Sequence, residues 1–137
     1  MFHGATIRGL VLALALAVAL PACGVGPTLT LADGQRAVDG GRADVSGATT
    51  TVVELVEYAF RPTVLTGRPG QRLTITLSNQ GNALHDFRLG DQHLDVNVEP
   101  ATPVTVTVTF PATGAVTFEC RYHLLQRMRG ELVAAQH

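Results

Sequence analysis

The chain has no tryptophan, no lysine and only two cysteines among its 137 residues. Without lysine, ten arginines are the whole basic complement; they face eleven acids, for a formal charge of −1. A chain so balanced gives no reason to propose nucleic acid as a partner. A membrane-length apolar run is also missing. Gly9 to Leu20 is uninterrupted but only 12 residues long, short of the roughly 20 that span a bilayer as a helix. Aromatics make up 5%, so a core must come mainly from Val, Leu, Ile and Ala. The length fits one domain. Two cysteines in an exported chain ordinarily suggest a disulfide, but here each has a separate explanation.

The first concerns the N-terminus. Arg8 followed by the short apolar run reads as an export signal over residues 1–22. Leu20-Pro-Ala-Cys23 resembles a bacterial lipobox, in which the cysteine is acylated after export and becomes the mature N-terminus. The reading is a lipid anchor at Cys23, with the domain outside the cytoplasm and held at the membrane by lipid rather than by a span. Residues 23–49 are rich in Gly, Ala, Asp and Thr without a sustained apolar period. They are expected to be a flexible linker that holds the domain off the membrane.

From residue 50 to residue 137 the pattern is that of a β-domain. Leu73, Ile75 and Leu77 alternate with Thr74, Thr76 and Ser78; Val104, Val106 and Val108 alternate with threonines. Leu94, Val96 and Val98 alternate with polar residues, as do Val116 and Phe118. Period two in β-branched residues marks half-buried strands. Gly67-Arg-Pro-Gly70, Asn79-Gln-Gly-Asn82, Gly90-Asp91, Pro100 to Pro103 and Pro111-Ala-Thr-Gly114 punctuate them. About seven short strands at such spacing predict an all-β, Greek-key antiparallel sandwich.

The second cysteine lies in Cys120-Arg-Tyr-His123-Leu-Leu-Gln-Arg-Met128. A thiolate, an imidazole and a thioether fall within nine residues. A cysteine with two histidines and a weak axial methionine is the donor set that suits one copper ion in electron transfer. His85 is the candidate second imidazole. Cys120 shares parity with Val116 and Phe118, so it leaves its strand on the core-facing side. His85 follows the Asn79–Asn82 turn, where it opens a neighbouring strand.

These residues resemble the cupredoxins, the small blue-copper family that includes plastocyanin and pseudoazurin. Cys120-x2-His123-x4-Met128 has the ligand-loop spacing of those two proteins. Tyr58-Ala-Phe60-Arg-Pro62, Gly70, Asn79, His85-Asp-Phe87, Pro111 to Cys120 and Gly130-Glu-Leu-Val133 extend the similarity over about residues 50–135. The resemblance implies His85, Cys120 and His123 as copper ligands with Met128 axial. It implies His123 as the exposed edge for electrons, and Leu124 and Leu125 as an apolar docking rim. Gln126, Arg127 and Arg129 stand where the family often has small residues or glycine. With Arg121, the last two put positive charge near the port, so a redox partner with an acidic face is expected.

Competing chemistries are separable on the same residues. No His-x-His pair occurs, as a multicopper oxidase needs, and Leu124 stands where a binuclear copper centre needs a second cysteine. One cysteine with a methionine disfavours structural zinc. A core-facing thiol disfavours a nucleophile. His93 is expected on the surface; His3 and His137 fall in the signal and at the terminus. The expectation is therefore a monomeric electron carrier, not an enzyme. The alternatives are a copper module for storage, delivery or tolerance, and a metal-free sandwich that binds another protein.

Overall fold

The computed structural model describes residues 26–136. Among them twelve strands occur: β1 (Thr28–Thr30), β2 (Arg36–Val38), β3 (Arg42–Asp44), β4 (Thr50–Val56), β5 (Ala59–Arg61), β6 (Val64–Gly67), β7 (Arg72–Asn79), β8 (His85–Leu89), β9 (Leu94–Val98), β10 (Val104–Thr109), β11 (Ala115–Glu119) and β12 (Arg129–Ala134). The helical elements among the described residues are two 3-10 turns, Gly90–Gln92 and Arg121–His123. No helix there is long and apolar enough to cross a membrane.

The strands form the two layers of a sandwich. One sheet has the order β10-β7-β4-β5 and the other β3-β6-β12-β11-β8-β9, while β1 and β2 make a separate ribbon. The all-β sandwich read from the sequence is the fold. Its pairing is mixed rather than wholly antiparallel: β4 runs parallel to β7, and β6 parallel to both β12 and β3. Residue alternation reports which face is buried, not which way the neighbouring strand runs, so the sequence pattern is the same for either.

That alternation sets the core. Leu73, Ile75 and Leu77 on β7 have no exposed surface, and they face Val108, Val106 and Val104 across the ladder with β10. Phe60, Phe87 and Phe118 close the core from three strands, with ring centroids 4.9–6.0 Å apart. Phe87 lies two residues after His85 and Phe118 two before Cys120. The aromatic cluster is thus the floor on which those two side chains stand, since residues two apart share a face.

The expectation of a flexible linker over residues 23–49 is corrected. From Thr28 the segment is built into the domain: β3 pairs with β6, and Leu31, Ala37, Val38 and Val45 are buried. Strands of three residues are too short to show a period, and the bonds that fasten β3 and the β1–β2 ribbon to the rest of the domain go to residues far along the chain, so composition alone read as a tether. The strands of the domain therefore begin before residue 50, with β1 at Thr28–Thr30. The signal, Cys23, His3 and His137 lie outside the described residues.

Candidate metal centre

His85 opens β8, and Cys120 follows the last residue of the adjacent strand β11; the two strands pair at Glu119 and Arg88. After Cys120 the chain makes one 3-10 turn, which brings His123 back over the sulfur, with the His123 N–H on the Cys120 carbonyl at 3.1 Å. The loop then returns to β12. The Met128 N–H donates to the His123 carbonyl at 3.2 Å, and the Met128 carbonyl accepts the Cys120 N–H at 3.0 Å. The ligand loop is therefore closed on itself by backbone bonds before any side chain is considered.

Three donor atoms converge there. His85 Nδ1 and His123 Nδ1 are 3.1 Å apart, and Cys120 Sγ lies 3.3 Å from the second and 3.9 Å from the first. First-row ions take nitrogen at about 2.0–2.1 Å and thiolate sulfur at about 2.3 Å, so donors spread around one ion in a plane stand about 3.5 Å apart. The observed triangle has that size. His85 and Cys120 are fully buried and His123 is partly exposed. Met128, also fully buried, belongs to the same loop and is bonded through its backbone to both Cys120 and His123. A thiolate, two imidazoles and a thioether in the same loop form a soft set suited to copper.

Electrostatics say the same. Burial pushes the Cys120 thiol up to about 11, so without a cation it keeps its proton at neutral pH. Burial, and for His85 also the neighbouring His123, lower both imidazoles, which therefore present neutral nitrogens. Buried His85 Nε2 has no hydrogen-bond partner among the described residues. The Cys120 sulfur, on losing its proton, and the facing imidazole nitrogens would hold a cation.

The surrounding residues fix the donors. The Asp86 N–H points at Cys120 Sγ at 3.5 Å. The Asp86 side chain is fully buried, and its Oδ1 accepts the Arg121 N–H at 2.7 Å, which ties the His85 strand to the cysteine loop. Arg121 Nε is 3.1 Å from Asp86 Oδ2, close enough to pair in charge although not aligned as a hydrogen bond. Burial still raises the Asp86 carboxyl, against the Arg121 N–H and guanidinium that lower it. Arg121 also meets Asp95 at 2.9 Å and stacks over Tyr122. Arg129 lies near Glu119 and donates to the Leu124 carbonyl. Two of the three arginines expected to charge the port are thus engaged within the protein.

The loop before His85 is held from two sides. Asn79 is buried; its Nδ2 donates to the Ala83 and Val98 carbonyls and its Oδ1 accepts the Gly81 N–H. Glu57 accepts the Asn82 and Ala83 N–H groups, which lower its carboxyl below the ordinary value. Tyr58 stacks on His123 with ring centroids 4.7 Å apart. The donor atoms of His85, Cys120 and His123 thus meet as expected, Met128 lies in the loop whose backbone bonds to Cys120 and His123, and His93 is exposed as expected. The reading missed Glu57, Asp86 and Arg121 as supports, because an acid or arginine beside a turn looks like any solvated residue until its partner is known. Leu125 is 95% exposed on the rim and Leu124 is half-buried.

Comparisons with known proteins agree with this fold. A search among curated protein sequences found no match. Among solved structures, auracyanin from Roseiflexus castenholzii is 21% identical with a TM-score of 0.53, over 65% of this chain and 98% of that one. Auracyanin A of Chloroflexus aurantiacus, described as a "blue" copper protein, is 22% identical with a TM-score of 0.53, over 69% and 100%. The metal-binding domain of the Cu(I)-exporting ATPase CopA of Streptococcus pneumoniae D39, solved with Cu(I), is 12% identical with a TM-score of 0.54, over 71% and 98%. At such identity these similarities establish the fold. The cupredoxin-like domain pattern matches residues 13–134, and the chain accordingly belongs to the cupredoxin-like family.

Proposed function

We propose that this protein is an extracytoplasmic electron carrier in which His85, Cys120, His123 and Met128 would hold one copper ion. The observation that carries the reading is the triangle of His85 Nδ1, His123 Nδ1 and Cys120 Sγ, already closed to 3.1–3.9 Å. Copper, when bound, supplies a one-electron couple. The chain's own residues keep the donors still while that charge changes. The backbone-bonded loop and the phenylalanine floor resist rearrangement, and burial keeps water from the sulfur. His123, the partly exposed donor, is the edge nearest solvent, and Leu125 beside it offers an apolar contact to a redox partner. The expected acidic face of that partner would meet chiefly Arg127.

Acylation of Cys23 would anchor the domain at this end. The Pro27 carbonyl accepts the Asp39 N–H next to Val38, which touches the ligand loop. Pro27 is four positions on from Cys23, a reach of at most about 14 Å. A lipid there places the copper edge close to the membrane in place of the long tether expected from composition. Mass spectrometry of the membrane fraction should find the acylated N-terminus on the wild type and not on Cys23→Ala.

The test of the copper site is spectroscopic. The mature chain with added Cu(II) should become blue or green through thiolate-to-copper charge transfer, and Cys120→Ser should stay colourless. A colourless wild type would remove the proposal. The CopA domain shares this fold and was solved with Cu(I), which keeps copper delivery as the second reading. Reversible reduction without loss of the ion supports the carrier; release of the ion on reduction supports delivery.

A further inference from the structure

The β1–β2 ribbon lies outside both sheets, yet it reaches the ligand loop. The Val38 N–H, at the end of β2, donates to the Arg127 carbonyl at 3.1 Å. Arg127 directly precedes Met128 and has φ of +61°, a left-handed conformation that a non-glycine residue rarely keeps unless its surroundings hold it. Its carbonyl also accepts the Arg129 N–H at 3.0 Å, so both bonds fix the peptide leading into Met128.

A two-stranded ribbon is not stable alone, and this one is fastened at several points. Ala37 is fully buried, and Leu31 and Val38 nearly so. The Ala32 N–H donates to the buried Glu131 carboxylate at 2.8 Å, on the strand that follows the ligand loop. The Thr117 hydroxyl donates to Asp33 at 2.8 Å. The Thr63 hydroxyl accepts the Gly40 N–H and lies between the Phe60 and Val38 carbonyls, 2.9 and 3.0 Å away, which ties the end of β2 to β5.

We propose that the β1–β2 ribbon is a positioning element for the metal centre, acting through the Val38 N–H on the Arg127 carbonyl to fix the backbone that presents Met128. The proposal rests on the copper reading for its consequence but not for its contact, which is a backbone hydrogen bond. A ribbon that acts this way opens together with the loop and not before it.

Amide hydrogen exchange on the metal-free wild type tests the contact directly. Val38 and Met128 should exchange at matched rates. If Val38 exchanges more than about tenfold faster than Met128, the ribbon opens alone and the proposal is wrong. Val38→Pro removes the donor while leaving an apolar side chain, and should speed Met128 exchange about tenfold with Ile75 and Leu77 unchanged. With copper bound, the same variant should shift the ratio of the visible charge-transfer bands, the EPR hyperfine splitting and the reduction potential. Thr117→Val, which cuts the ribbon's other end, should leave all three as in the wild type. Equal shifts in both variants, or none in Val38→Pro, overturn the proposal. If Val38→Pro does not fold, the wild-type exchange rates decide. A wild type that never colours with copper defeats the copper reading and leaves the exchange result standing.

Discussion

At the scale of single residues, the centre depends on charges that composition does not reveal. Asp86 sets a fully buried carboxylate beside the Cys120 sulfur, partly compensated by Arg121. Negative charge there favours the oxidised ion. Asp86→Asn keeps an acceptor for the Arg121 N–H and removes that charge, so the reduction potential should rise while the charge-transfer colour persists; cyclic voltammetry beside the visible spectrum checks this. Glu57 gives the pH dependence. Two N–H donors lower its carboxyl from the ordinary 4.5. Its contribution to stability is therefore full above that value and is lost as pH falls through the lower folded value. Metal-free thermal melts between pH 6 and pH 3 should show a shallower acid limb for Glu57→Gln than for the wild type.

At the scale of strands, the face that carries the ligands is set by the period of two. Phe118 is fully buried, two residues before Cys120, and it packs on Phe60 and Phe87. Phe118→Ala should cost about 3–5 kcal/mol by denaturant unfolding and should also broaden the copper spectrum, because the floor under the sulfur is gone. Opposite Phe118 in the ladder stands Gly130. A Cβ there would lie 2.4 Å from the Phe118 ring and 2.4 Å from the Thr63 carbonyl, the latter backbone. Gly130→Ala should therefore destabilise by about 1–3 kcal/mol, again measured by unfolding, since neither neighbour can withdraw without moving a strand. Strand existence and facing were readable from alternation. Strand partners were not, because alternation is blind to direction and to which distant strand lies alongside.

At the scale of the whole molecule, the N-terminal segment changes what counts as the domain. A chain beginning at residue 50 resembles the family by its motifs, yet it lacks β3 at the sheet edge and uncovers the surface buried by Leu31, Val38 and Val45. Burying side chains of this size is worth about 1.5–3 kcal/mol each. The shortened chain should therefore unfold at least about 4 kcal/mol more easily than one beginning at residue 24, and calorimetry of the two checks this. Residues 28–45 were illegible as structure for a physical reason. Each strand there is three residues long, and apart from the pairing of β1 with β2 the bonds that fasten the segment go to residues such as 63, 66, 127 and 131. Nothing local in the segment records those partners.

The sequence by itself determined the donor chemistry and the side from which it is presented. A cysteine, a histidine and a methionine within nine residues at a strand end admit few metals, and parity turns the sulfur toward the core. Only the tertiary structure decided that His85 reaches that sulfur, that Asp86 and Arg121 join the two ligand strands, and that a ribbon from the N-terminus holds the loop. These are contacts between residues 34 to 89 positions apart. Such contacts exist because β-strands pair through backbone groups that every residue carries, and the pairing leaves no mark on the side chains that will meet.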